Sequence, residues 1–416
     1  MIARNLASNC SAALRDTPVL LLAGARQTGK STLAKELAGS PASERSFFTL
    51  DDPSTLSAAR RSPDSFLEDA GSQCLIDEVQ RAPELFLPMK KRVDAERLPG
   101  RYLLTGSANI FALPRLADSL AGRMEVQVLW PFSQGELEGV REGFVDECFH
   151  GGDGFQEAAV EWGDLSERVA RGGYPEAVLR SQVARRRAWW EAYLQTMLER
   201  DVRDLADIAG LQELPHLLRV LASRIGGLQN FAEVGRVVGI SSSTLKRYIA
   251  LLKAVYLHIE IPAWHRNLEK RLIKAPKTYL NDSGLVCHLR GVDARALAGD
   301  RNRAGSVMEN FVAMELMKQI TWSDTRPRLH HYRDVSGNEV DFVLESPDGR
   351  VVGIETKCAS DIGKNDFRGL EDLARAVGED FIRGIILHTG SHRLLFGKNL
   401  LALPIATLWR TQERPR

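Results

Sequence analysis

The run Val19-Leu20-Leu21-Leu22-Ala23, then Gly24-Ala25-Arg26-Gln27-Thr28-Gly29-Lys30-Ser31, then Thr32-Leu33-Ala34-Lys35-Glu36-Leu37 decides how the first third of this chain folds. An apolar strand, a G-x-x-x-x-G-K-S loop and a helix follow one another without a gap. Such a glycine-rich turn lets successive backbone N–H groups converge on phosphate oxygens, and the helix N-terminus adds positive potential. Gly24, Ala25, Arg26, Gln27, Thr28, Gly29, Lys30, Ser31 and Thr32 are therefore the candidate nucleotide-binding residues, with ATP and Mg²⁺ as the expected ligands. In that pattern the lysine, Lys30, reaches the β- and γ-phosphates, and the Ser31 hydroxyl ligates Mg²⁺. An accidental match on a surface loop would lack the strand before and the helix after.

A second apolar strand, Cys74-Leu75-Ile76, ends in Asp77-Glu78, about 50 residues after the loop. At that distance Asp77 is expected to hold the Mg²⁺ and Glu78 to polarise the attacking water. Asp51-Asp52-Pro53 between them reads as a cap for the next helix rather than a metal site. The strand in 101–109 ends in small polar residues. Inserted between the phosphate-loop strand and the acidic strand, it would set a polar group near the γ-phosphate. Thr105, Ser107 and Asn109 are all candidates for this sensor, and Asn109 joins Lys30, Glu78 and Arg123 among the candidate catalytic residues. Arg123 lies just before the strand 124–129, where proteins of the AAA+ type, which this stretch resembles, present a finger to a neighbouring subunit's nucleotide; the alternative is a salt bridge within its own domain.

At 416 residues the chain has room for two or three domains. Its 44% hydrophobic and 26% charged residues describe a globular protein with ample core, and its net charge of +1 gives no whole-chain argument for nucleic acid. Five scattered cysteines (Cys10, Cys74, Cys148, Cys287, Cys358) contain no C-x-x-C pair. They argue against a disulfide framework or structural zinc and fit a reducing cytoplasm. The run 19–23 is too short to span a membrane, so no membrane partner is expected.

Past residue 134 a loop-rich stretch leads to aromatic residues at helical spacing, Trp189, Trp190 and Tyr193, which read as core. Residues 231–254 read as helix, turn, helix, with a serine able to cap the second helix and Lys246, Arg247 and Lys253 along it as candidate nucleic-acid contacts. Segments 255–261 and 277–280 could supply wing strands. Residues 181–280 hold 16 Lys+Arg and 9 Asp+Glu, an excess of +7 (16 − 9), which points to phosphate contacts and salt-dependent binding. The alternative is an interdomain packing unit.

In the tail, Glu309 lies on a helix over 308–317, Asp341 in the strand 339–344, and Glu355 and Lys357 in the strand 351–357. Glu355 and Lys357 are two apart and share a strand face. This arrangement resembles the PD-(D/E)xK nucleases, whose chemistry needs hard oxygen ligands for Mg²⁺ beside a lysine that orients water. Glu309, Asp341 and Glu355 are then candidate metal ligands, as are Ser31 and Asp77 at the phosphate loop, and Lys357 completes the nuclease set. A symmetric four-residue turn would set Asp341 against Ile354, away from Glu355. A shared metal requires a three- or five-residue loop, or a bulge. The alternative is an ion-pair network in a fold without activity. His330, His331 and His388 show no ligand pattern and read as structural or exposed.

The segments GARQTGKST, CLIDEVQ, YLLTGSAN, SLAGRMEVQVLWPFS and RGGYPEAV, and later YLQTMLERDV, KAPKTYLNDSGL and ENFVAMEL, resemble the prokaryotic AAA-type ATP-binding family related to the archaeal ATPases. The resemblance covers nearly the whole chain. It implies an α/β P-loop AAA+ ATPase core (1–133), a helical lid and linker (134–204), a winged helix-turn-helix (205–290) and a restriction-endonuclease-like α/β domain (291–416). Two functions fit: an ATPase acting on a DNA-binding, nuclease-like half, or a nucleotide-dependent switch whose tail only docks partner proteins. A finger in trans would also require a homo-oligomer.

Overall fold

The computed structural model describes residues 2–39, 45–107, 120–150, 154–202, 211–267, 269, 271, 274–334 and 336–414. Strands β1 (Val19–Ala23), β2 (Ser46–Thr49), β3 (Cys74–Asp77), β4 (Tyr102–Gly106) and β5 (Met124–Val128) form a parallel sheet in the order β2-β3-β4-β1-β5. β4 thus lies between the phosphate-loop strand and the acidic strand, the expected insertion. Every residue of β1, β3 and β4 is buried, as befits a parallel sheet covered on both faces. Leu20, Leu22 and Leu103 pack with the helices Ala7–Asp16 and Lys30–Ala38, while Leu21, Ile76 and Leu104 join the core on the other face. Asp52 caps the helix Pro53–Arg61 by accepting the Thr55 N–H at 2.8 Å.

The middle of the chain is helical. Helices Leu214–Ser223, Phe231–Val238 and Ser242–Ala254 precede an antiparallel pair, β6 (His258–Ile261) and β7 (Lys277–Leu280). Asn230 and Ser241 cap the second and third helices, and Gly239 turns between them at φ +80°, a conformation open to glycine at no steric cost. Trp190 and Tyr193 are buried and pack around Tyr174, so the aromatic stripe is core.

The tail is a six-stranded mixed sheet in the order β12-β13-β11-β10-β9-β8: β8 (Arg328–Arg333), β9 (Glu339–Glu345), β10 (Val351–Lys357), β11 (Phe381–His388), β12 (Leu394–Leu395) and β13 (Leu400–Pro404). The helix Arg368–Val377 buries Leu370 and Leu373 against Val340, Val343 and Ile386 on one face. The 20-residue helix Arg301–Ile320 covers the other. This long helix also reaches the ATPase end. The Lys318 Nζ donates to the Phe132 carbonyl at 2.9 Å, and Glu315 accepts the Gln134 N–H at 2.9 Å. No helix among the described residues is long and apolar enough to cross a membrane.

Candidate functional site

The phosphate loop gets its shape from its glycines. Gly24 has φ +143°, and a Cβ there would lie 2.3 Å from the Leu129 carbonyl oxygen, so no side chain fits. Gly29 at φ +97° opens the helix, and Gln27 is left-handed at φ 62°. Between them, Thr28 donates its hydroxyl to the Ala25 carbonyl at 3.0 Å. Lys30 is buried and donates Nζ to the same carbonyl at 2.8 Å. Arg4 braces the loop from outside, with its guanidinium on the Thr28 and Trp130 carbonyls at 2.8 and 2.6 Å. The Arg26 carbonyl accepts from the Tyr193 hydroxyl at 3.4 Å. Beside Gly29 and Thr32 lies a cavity of about 430 Å³ walled by Ile2, Phe132, Pro175 and Val178, apolar surface next to the backbone of the loop.

Behind the loop the Ser31 hydroxyl donates to Asp77 Oδ1 at 2.7 Å. The Thr105 hydroxyl also donates to Asp77 and accepts the Glu78 N–H at 3.1 Å. Glu78 sits at φ 59°, rare for a residue with a Cβ. Its carboxylate accepts the Ser107 hydroxyl at 3.0 Å and the Gln80 amide. Two of the three sensor candidates thus touch the acidic pair, while Asn109 lies outside the described residues. This oxygen set, with a lysine adjacent, fits Mg²⁺ and a triphosphate. Ser31 and Asp77 would hold the ion and Lys30 the phosphates. Arg123 forks onto Asp94 in its own domain, with Nη2 2.9 Å from Oδ2.

The tail acids come together differently. The β9–β10 turn has five residues, 346–350, between Glu345 and its partner Val351. The ladder runs to Phe342 opposite Ile354 and stops, and the pairing of β9 with β8 shifts register between His330 and Tyr332. Loop length and bulge therefore both act at Asp341. Its carboxylate accepts the Thr356 N–H at 3.0 Å, and its own N–H donates to Glu355 Oε2 at 3.2 Å. Lys357 Nζ lies 3.1 Å from Glu355 Oε1.

Sequence reasoning missed the centre of this cluster. Lys277 Nζ lies 3.0 Å from Glu309 Oε1 and 2.9 Å from Asp341 Oδ1, and the Tyr279 hydroxyl donates to the same Glu309 oxygen at 2.7 Å. Both come from β7 and, two apart, share a strand face. K-x-Y two positions before the NDSG turn was the available signal. Burial, reinforced by the charge of Asp341, raises the Glu309 carboxyl to about 7 despite Lys277 and Tyr279. The same causes raise Glu355 to about 8, against the pull of Lys357. Burial alone would lower Lys277, but Asp341 and Glu309 outweigh it and hold its pKa above the ordinary lysine value. An ammonium at the vertex shared by two carboxylates stands where a bridging metal would sit, and among the described residues no three His, Cys, Asp or Glu side chains converge to hold a metal ion. With Lys277 in place the tail residues do not fit one.

The candidate nucleic-acid residues Lys246, Arg247 and Lys253 are all exposed on the helix Ser242–Ala254. Lys253 is paired with Glu260 on β6, and Lys246 lies 5.7 Å from the Phe231 ring centroid. The β6–β7 connection is not free: the Trp264 N–H donates to the His331 carbonyl at 2.6 Å, and Arg271 forks onto Glu345 at 2.6 Å. His331 is buried and bonds the Ala275 carbonyl, while buried His388 accepts the Gly390 N–H. Both are structural.

A family model for an AAA domain matches residues 16–138, and two models for domains of unknown function match 163–296 (DUF8612) and 304–408 (DUF4143). Among solved structures, the Holliday junction branch migration motor RuvB of Thermotoga maritima is 18% identical with a TM-score of 0.29, over 62% of this chain and 89% of that one. Protein VC1899 of Vibrio cholerae is 13% identical with a TM-score of 0.20, over 95% and 96%. Scores this low leave the assignment to the sequence match and the sheet order. The uncharacterized proteins Rv2008c of Mycobacterium tuberculosis and Mb2031c of Mycobacterium bovis are each 31% identical over 96% of this chain and 83% of their own length. The chain belongs to the family of these mycobacterial proteins, and its amino-terminal domain is of the AAA type.

Proposed function

We propose that this chain hydrolyses ATP with Mg²⁺ and uses its nucleotide state to act on a nucleic-acid-binding, nuclease-like carboxy-terminal half. The observation that carries the reading is the contact of the Ser31 hydroxyl with Asp77 at 2.7 Å, beside buried Lys30 and the left-handed Glu78. Bound Mg²⁺ would neutralise charge on the β- and γ-oxygens. Lys30 would give up the Ala25 carbonyl for the phosphates, and Glu78, held by Ser107 and Gln80, would turn to orient water. The purine would lie in the apolar cavity beside Thr32.

The middle segment supports DNA as the target. Its helix-turn-helix followed by two strands reads as a winged helix, and an exposed basic helix of that kind suits the wide major groove of B-DNA. The major groove of A-form RNA is too deep and narrow for it. Lys30→Ala tests the ATPase reading: phosphate release should fall to background and ATP binding should weaken. Undiminished turnover would overturn it.

One observation favours the second reading, a nucleotide-dependent switch whose tail docks partner proteins and cuts nothing: the ammonium of Lys277 among the acids. Duplex cleavage in Mg²⁺ or Mn²⁺, compared between wild type, Asp341→Ala and Lys357→Ala, separates the two.

A further inference from the structure

We infer that Lys277 is a built-in cation that excludes divalent metal from the Glu309–Asp341–Glu355 cluster, so the tail is closed to metal-dependent chemistry while this side chain is in place. The inference rests on the nuclease-like reading of the hairpin, which it qualifies. Lys277 belongs to the middle segment, 32 and 64 residues before its two partners. Its backbone is fixed at the cluster by the tail helix itself. Asn310, next to Glu309, accepts the Leu280 N–H at 2.9 Å and donates to the Leu280 carbonyl at 3.0 Å, replacing a strand neighbour for β7. Further along the same edge of β7, the one facing away from β6, the Thr278 N–H donates to the Gly227 carbonyl at 3.1 Å, and its carbonyl accepts the Gly226 N–H at 2.9 Å.

Glu309 has no room to swing away from the ammonium on that side. A Cβ on Gly226 would lie 2.7 Å from Glu309 Oε2, so the bare backbone presses against the carboxylate. Mg²⁺ takes its oxygens at about 2.0–2.1 Å, inside the ammonium's 2.9 and 3.0 Å, and two cations cannot share that vertex. Charge agrees with geometry. Three acidic side chains, Glu309, Asp341 and Glu355, face two ammonium groups, Lys277 and Lys357, and a divalent ion in place of Lys277 would favour the ionised form of all three. The lysine is also removable, because its charge rides on a flexible four-carbon stem, while the Tyr279 hydroxyl holds Glu309 independently.

The test uses the full chain, free of nucleotide and stripped of metal, with Mn²⁺ as the probe. Binding is read by electron paramagnetic resonance and by the thermal midpoint. Wild type should show no Mn²⁺ site that depends on Asp341. Lys277→Met should gain one site, at least about tenfold tighter than any in wild type, with a midpoint that climbs with Mn²⁺ concentration. Lys277→Met/Asp341→Asn should lose both. An Asp341-dependent site in wild type overturns the inference, and so does a folded Lys277→Met that binds nothing. Should Lys277→Met fail to fold in chelator, refolding in millimolar Mn²⁺ is expected to rescue it, and failure of rescue also overturns the inference. Duplex cleavage separates this result from the nuclease reading. Mn²⁺ bound by Lys277→Met without cleavage upholds the plug and sinks the nuclease. Cleavage by wild type that disappears in Lys277→Met does the reverse.

Discussion

Arg123 is half-exposed, and so is Asp94, the residue it forks onto. An exposed ion pair of this kind adds little to stability, so the fold loses little when it opens. An arginine finger stabilises the transition state of phosphoryl transfer by about 10³–10⁵ in rate. A weak pair can release its guanidinium to a neighbouring subunit at small cost. Arg123→Ala should therefore lower ATP turnover by about 10³ with the thermal midpoint nearly unchanged, and Asp94→Ala should leave turnover intact. Equal turnover in wild type and Arg123→Ala would confine Arg123 to pairing within its domain. Glu78 carries the opposite signature, a left-handed backbone and a carboxylate held by Ser107 and Gln80. Such strain persists where surrounding contacts fix it, and functional sites collect it.

Among the elements, the helix Ser242–Ala254 divides its residues by face. Leu245, Tyr248, Ile249 and Leu252 are buried, and Lys246 and Arg247 face solvent. If it lies on duplex DNA, Lys246→Ala and Arg247→Ala should each weaken binding across sequences and reduce the slope of log affinity against log salt by about 1. Lys253→Ala should change the slope less, because Glu260 already holds that ammonium. An unchanged slope in all three would assign the helix to packing. The elements legible in the sequence are those set by neighbouring residues: the phosphate loop, the Asp52 and Ser241 caps, the acidic strand and the hairpin itself. The hairpin's register was undecided because alternation fixes which residues share a face only once loop length and bulges are known. Lys277 was out of reach for another reason. Read locally it is one basic residue in a short strand, and only the packing of β7 beside both the helix Arg301–Ile320 and β9 gives it two carboxylates, Glu309 and Asp341. Trp264 and Arg271 also escaped notice, since their partners His331 and Glu345 lie in another part of the chain.

Across the whole molecule, buried polar contacts join the ATPase end to the middle segment and to the tail. Asp282 accepts the Gly173 N–H at 2.8 Å, and the Gly173 carbonyl accepts the Phe132 N–H at 2.8 Å. Tyr193, on the Arg26 carbonyl, meets the Tyr174 hydroxyl, which accepts from Asn281 beside β7. A second joint centres on Glu142. Its carboxyl takes the Gly135 N–H at 2.8 Å and the Asn5 amide, and its carbonyl accepts the indole N–H of Trp322 at 3.0 Å. Burial, with the charge of Glu315 adding to it, raises this carboxyl from the ordinary 4.5 to about 8. The folded pKa lies above the unfolded one, so the folded state binds the extra proton. The contribution is complete below about 4.5 and is lost as pH rises through about 8. Glu142→Gln removes the titrating group at every pH, keeps one oxygen for the Gly135 N–H, and requires only that the Asn5 amide turn its oxygen toward the new NH2. Urea unfolding should find the variant close to wild type near pH 5 and more stable by on the order of 3 kcal/mol at pH 8. Parallel pH profiles for the two proteins would mean that Glu142 is ionised in the fold, and that the joint between ATPase and tail is held by charge rather than by a shared proton.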